Sequence, residues 1–137
     1  MPATIAFDLV TPERLLTSEP VEMVVVPGTE GDMGVLAGHA LLIGTVRPGL
    51  VVLFAGGRAV EQFFVAGGLV DVSPERCTVL AVEARPLAEI GRPETEARLA
   101  RAREALSDAV TDAAKAVARR RILVAETLLS LLDRAPR

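Results

Sequence analysis

The sequence predicts an α+β fold in which a β-sandwich or barrel comes first and helices come last. Three observations point there. Nearly all the glycine and proline, and most of the valine, lie before residue 87. From Glu94 to Ala135 there is neither Gly nor Pro, and the strong helix formers Ala, Leu, Arg and Glu dominate. Charge shifts with composition: residues 1–86 hold 5 basic and 10 acidic side chains (−5), residues 87–137 hold 10 basic and 8 acidic (+2), and together they make the chain's −3. Residues 1–86 are therefore read as a β domain and 87–137 as a helical one, joined through Arg85-Pro86 and Gly91-Arg92-Pro93.

Taken in order, the β domain offers short runs of β-branched and apolar residues between turn signals. These are Thr4–Val10, Leu15–Thr17, Val21–Val26, Leu41–Val46, Leu50–Phe54, Ala59–Phe64, Gly68–Ser73 and Cys77–Ala84. Turns are signalled at Thr11-Pro12, Pro27-Gly28, Pro48-Gly49, Gly56-Gly57 and Ser73-Pro74. Gly56-Gly57 is the best hairpin turn, because both central positions accept positive φ. The stretch Val24–Gly49 stands out, with six glycines, two prolines, the acidic residues Glu30 and Asp32 and the only histidine, His39. It reads as a shaped surface loop on a rigid β scaffold.

The helical part predicts an apolar stripe at spacings of three and four: Leu99, Ala102 and Leu106, then Val110, Ala113 or Ala114, Val117, Val124, Leu128 and Leu131 or Leu132. A helix can start at Pro93 or Glu94, and Ser107-Asp108 or Thr111-Asp112 can cap a second one. No Gly or Pro enforces the turn, so a hairpin and an extended helical arm are both open to this segment.

Composition narrows the function. Hydrophobic residues make up 50% of the 137, enough for a core, but aromatics only 3%, with no Trp or Tyr. Stacking platforms for single-stranded nucleic acid are thus not expected, and the net charge of −3 also argues against a nucleic-acid partner. A single cysteine, Cys77 in CTVLAV, excludes an internal disulfide and reads as a buried reduced thiol. The start MPATIAFDLV has no signal-peptide pattern, and no apolar run approaches a membrane span of about 18 residues. The protein is therefore expected to be soluble and cytoplasmic, with attachment to something in a membrane left open.

Candidate chemistry is sparse. His39 lacks an activating nucleophile, and a metal held by Glu30, Asp32 and His39 would have fewer His and Cys than zinc prefers. Glu30 and Asp32 are either solvated acids or a charged contact for a basic partner. Arg119, Arg120 and Arg121 form the densest positive run; on a helix three successive residues span about 200°, so at least one meets any partner docked there. GTEGDMG lacks the ending of a phosphate loop, and VAGGLVD opens no helix.

The blocks VVVPGTEGDMGVLAGHALL (24–42), VRPGLVVL (46–53) and FFVAGGLVDVSPERCTVLA (63–81), followed by an Ala-rich tail, resemble the ε subunit family of bacterial F-type ATP synthases over nearly the whole chain. The resemblance implies a β-sandwich of about ten strands (1–86) that binds the γ subunit and the ring of c subunits. It implies a C-terminal antiparallel two-helix hairpin (87–137) that regulates, and no catalysis by this chain. By position, Glu30, Gly31 and Asp32 match the loop facing the c ring, and His39 the histidine near γ. Arg119, Arg120 and Arg121 are nearest to the basic residues that face the β subunits, so the helices are expected to reach the α and β subunits and to restrain ATP hydrolysis. The implied place is the cytoplasmic side of a bacterial plasma membrane. Some members bind ATP through an Ile/Leu-Asp-x-x-Arg-Ala motif. Here PETEARLARARE supplies Arg98 for the arginine, but Glu94, Thr95 and Leu99 depart from the pattern, so no cofactor is expected. Two other readings remain at this stage: a stand-alone ATP sensor, which predicts ATP-dependent protection of the helices, and a His39-centred enzyme or metal protein, which predicts bound metal or turnover.

Overall fold

The computed structural model describes residues 3–134; the ends of the two expected stretches, 1–2 and 135–137, lie outside these. Ten strands come first: β1 Ile5–Val10, β2 Leu15–Val21, β3 Met23–Gly28, β4 Gly31–Leu36, β5 Leu42–Val46, β6 Gly49–Ala55, β7 Arg58–Val65, β8 Gly68–Val72, β9 Arg76–Ala81 and β10 Ala84–Pro86. A single 3-10 turn, Leu87–Glu89, leads to α1 (Arg92–Asp108) and α2 (Asp112–Arg134). The chain divides into two compact units between Leu87 and Ala88.

Within the first unit the strand order is β10-β7-β6-β3-β5-β8-β9-β1-β2, with β4 added on β3. Only the pair Gly28↔Val46 joins β3 to β5. The strands thus fall into two groups that fold over one another as a nearly closed sandwich, and β2 comes back against β6 on the far side. All pairings are antiparallel except β1 with β9.

Alternation explains the core. In β1, Ile5, Phe7 and Leu9 are buried while Ala6, Asp8 and Val10 are only partly so. Successive strand side chains point to opposite faces, so one face is dry and the other wet. The same pattern in β3, β6, β8 and β9 contributes Val24, Val26, Val51, Leu53, Val70, Val72, Cys77 and Val79 to one continuous cluster. The β6–β7 hairpin turns through Gly56 and Gly57, at φ 63° and 77°, as their sequence demands.

Within the sandwich the structure departs from the sequence reading in three places. The run expected as a surface loop contains a six-residue strand: β4 pairs along the whole of β3, leaving 29–30, 37–41 and 47–48 outside strands. Gly31, Gly34 and Asp32 have poor strand preference alone, and pairing supplies what propensity withholds. β2 runs through Pro20, where the sequence suggested a break. It is an edge strand, and Pro20 faces only Ala6. The expected strand Cys77–Ala84 is two, β9 and β10.

In the second unit, Gly91 precedes α1 and Pro93 sits in its first turn. The buried Thr95 donates its hydroxyl to the Gly91 carbonyl at 2.8 Å. Thr111 caps α2, accepting the Ala114 N–H on its hydroxyl at 3.0 Å. Buried positions are Thr95, Leu99 and Ala102 on α1, and Ala118, Val124, Ala125, Leu128, Leu131 and Leu132 on α2. Val110 and Val117, expected in the stripe, are 87% and 53% exposed. The connection 109–111 resets the helical phase, so Ala118 takes the buried place instead of Val117, one residue and about 100° away.

Candidate functional site

The end of the sandwich around residues 28–32 is built from two hairpin strands and a tether. Gly28 pairs with Gly31, leaving Thr29 and Glu30 as a two-residue turn. Glycine is required here: Gly31 has φ 132°, and a Cβ on Gly28 would lie 2.8 Å from the Gly31 carbonyl oxygen. Thr29 donates its N–H to Thr45 O at 3.0 Å, and the two threonine hydroxyls meet at 2.7 Å. Arg47, just past β5, donates its N–H to Pro27 O at 2.8 Å. Its guanidinium donates Nη1 to Gly28 O and Nη2 to Asp32 Oδ1, each at 2.6 Å. Glu30, at the turn, is exposed.

The outer sheet face adjoining this tip carries an apolar row. Register puts Leu15 beside Val10, Val10 beside Leu80, Leu80 beside Leu69 and Leu69 beside Thr45. Leu15, Leu80 and Leu69 are each about half exposed, at 56%, 46% and 47%. Val82, just beyond, is 60% exposed. Through the Thr45–Thr29 contact the row runs directly to the acidic turn. A row of large aliphatic side chains across four strands is more than the scattered apolar exposure normal for a surface.

His39 lies elsewhere. β4 separates it from the tip, and its five-residue rise alone is roughly 16 Å. Its Nδ1 is 2.8 Å from Ala40 O, to which it donates, and its backbone N–H donates to Leu36 O at 3.1 Å. Gly38 N–H donates to Pro74 O at 2.7 Å, tying this loop to the β8–β9 turn. Around it, Leu36 and Leu41 are 54% and 80% exposed. Thus Glu30, Asp32 and His39 do not converge, and among the described residues no three His, Cys, Asp or Glu side chains group as metal ligands.

On the second unit, Arg119, Arg120 and Arg121 are all exposed along α2, while Arg98 is half-buried on α1. Cys77 is buried in the sandwich core; burial, followed by the carboxylates of Asp71 and Asp8, pushes its thiol up to about 12. A thiol held protonated in this way is a packing residue and a poor nucleophile.

Sequence reasoning missed Arg47 and the apolar row. The first had only a weak signal, a lone arginine in VRPG within the same glycine-rich stretch as Glu30 and Asp32. The second was visible in β9, where CTVLAV places apolar residues on both faces instead of one.

Residues 4–86 match the family model described as the ATP synthase, Delta/Epsilon chain, beta-sandwich domain. The chain is similar to the ATP synthase epsilon chain of Rhodospirillum rubrum, with 50% identity over 130 residues, 95% of this chain and 97% of that one. It is also 52% identical over 128 residues to the ATP synthase epsilon chain of Paramagnetospirillum magneticum, covering 93% and 96%. Among solved structures, a chain of the Euglena gracilis mitochondrial ATP synthase, determined with OSCP, F1 and c-ring, superposes with a TM-score of 0.80 at 29% identity, covering 96% of this chain and 83% of that one. A chain of the Tetrahymena thermophila mitochondrial ATP synthase central stalk and c-ring shares the fold, with a TM-score of 0.69, 15% identity and coverage of 93% and 96%.

Proposed function

The chain belongs to the ATP synthase epsilon chain family, and from that premise we propose that it is a non-catalytic rotor subunit in the central stalk of a proton-translocating F-type ATP synthase. The observation that carries this is the half-identical match to bacterial epsilon chains across 95% of the sequence. In this reading the sandwich holds γ and rests on the c ring, so rotation of the ring reaches the catalytic head. Glu30, Gly31 and Asp32 meet the ring, and the adjoining apolar row offers the broad surface that a lasting subunit contact needs. His39, with Leu36 and Leu41, contributes to the γ contact. The helical unit approaches the α and β subunits through Arg119, Arg120 and Arg121, and restrains ATP hydrolysis. Arg98 is the position a nucleotide would contact, but the altered motif around it argues for regulation without ATP. No helix among the described residues is long and apolar enough to cross a membrane, which is consistent with attachment to the cytoplasmic side of a bacterial plasma membrane through the complex.

Two measurements test this. A chain ending at Leu87 is expected to bind γ as tightly as the full chain; binding carried by residues 88–137 alone would reverse the assignment. ATP hydrolysis by the assembled complex is expected to rise when residues 88–137 are removed, and equal rates would remove the inhibitory role.

A further inference from the structure

We infer that Arg47 is the positioning residue of the β3–β4 tip and that Asp32 serves to hold Arg47, leaving Glu30 as the carboxylate through which the tip recognises its partner. This rests on the reading of the tip as the c-ring contact and divides the labour within it. Three contacts from one residue converge on the hairpin: the Arg47 N–H on Pro27 O, Nη1 on Gly28 O and Nη2 on Asp32 Oδ1. They grip both hairpin strands from outside, because Pro27 and Gly28 belong to β3 and Asp32 to β4. A planar guanidinium suits this, since two of its N–H groups reach two acceptors in fixed geometry.

The rest of the neighbourhood supports a held tip. Gly49, two residues on, packs so closely on Pro27 that a Cβ there would lie 2.9 Å from the proline Cβ. The Arg47 backbone is therefore fixed against β3 before its side chain reaches out. The Thr29–Thr45 pair fixes the turn from the other side. Asp32, its charge matched by Arg47 at 2.6 Å, has less net field to offer a partner. Glu30 is exposed at the turn and has no ion pair or hydrogen bond within the described chain. Holding the turn beforehand lowers the ordering cost of association, while the free carboxylate supplies the salt-dependent part.

Amide hydrogen exchange on the isolated full chain tests the clamp. Arg47→Gln is expected to speed exchange at Thr29 about ten-fold, on the order of the loss of a charged hydrogen bond, with Val51 and Leu53 unchanged. Unaltered exchange at Thr29 would overturn the positioning role. Attachment of the full chain, bound to γ, to detergent-solubilised c rings tests the division of labour across a salt series. The double variant Asp32→Asn with Arg47→Gln removes both members of the matched pair and is expected to keep the wild-type salt slope. Glu30→Gln is expected to flatten that slope, and Arg47→Gln to weaken attachment about three-fold or more without flattening it. A flattened slope in the double variant with an unchanged one in Glu30→Gln would overturn the assignment of charge. If none of the three affected ring attachment, the tip would not be the ring contact, and the exchange result would still decide the clamp.

Discussion

The sandwich and the helical pair are held together by different means. The sandwich buries large side chains completely: Phe7, Phe64, Ile5, Leu9 and Leu53 are all at zero exposure. Three of the nine buried helical residues are alanines (Ala102, Ala118 and Ala125), and Leu99 and Leu131 retain 8% and 9% exposure. Small residues let helices approach but bury little apolar area. Two exposed ion pairs, Arg103–Glu126 at 3.3 Å and Arg92–Asp133, add to the helix contact. Meanwhile Val110, Val117 and Leu123 are at least half exposed. A rigid scaffold and a lightly held pair suit the proposed division between force transmission by the sandwich and regulation by the helices. Such a pair opens at lower free energy than a densely packed sheet.

Breaking the core should have the largest effect. Phe7→Ala is expected to cost about 3–5 kcal/mol, by lost burial and the cavity left behind. Urea unfolding gives the magnitude, and amide exchange should show the loss within residues 5–86. Equal loss across both units would mean that they unfold as one. Leu128→Ala should cost about 2–3 kcal/mol, read as faster exchange along 92–134 with the sandwich unchanged; a matching loss in the sandwich would erase the contrast.

A smaller effect concerns the seam where β2 returns against β6. Glu61 on β7, opposite Leu53, lies within hydrogen-bonding reach of Glu19 on β2, whose carboxylate accepts the Thr17 hydroxyl at 2.7 Å. Burial, then the hydrogen bond and charge of Glu19, hold the Glu61 carboxyl above its usual 4.5. The folded chain therefore keeps a proton that the unfolded chain releases. Its favourable contribution is complete below pH 4.5 and is lost as pH rises through the raised value. Glu61→Gln is expected to be more stable than wild type at pH 7, with the advantage vanishing towards pH 4.5. Urea midpoints at the two pH values check this, and a constant difference would contradict it. The smallest effect is Arg103→Ala, about 0.5 kcal/mol or less, because both partners are more than half exposed. Helix stability should fall equally little in 1 M salt; a large loss would mean the helices depend on charge more than on packing.

Much of this architecture was legible locally. Runs of β-branched and apolar residues between turn signals marked β1, β6 and β9, the Gly56-Gly57 pair marked its hairpin, and Thr111-Asp112 was one of two offered caps for α2. These signals depend on neighbours a few residues apart, where backbone preference and side-chain direction are already decided. The three family blocks likewise carried the identity, because their order and spacing survive in the sequence itself. Tertiary structure decided the remainder. β4 exists because β3 offers a full ladder to a glycine-rich segment that has little strand preference of its own. Pro20 is tolerated because β2 lies at an edge. Arg47 meets its three acceptors only when the ends of β3, β4 and β5 come together, and Leu15, Val10, Leu80 and Leu69 become one surface only through register between strands distant in sequence. Pattern determines which stretches become strands and helices; pairing and closure determine which of their side chains stand together.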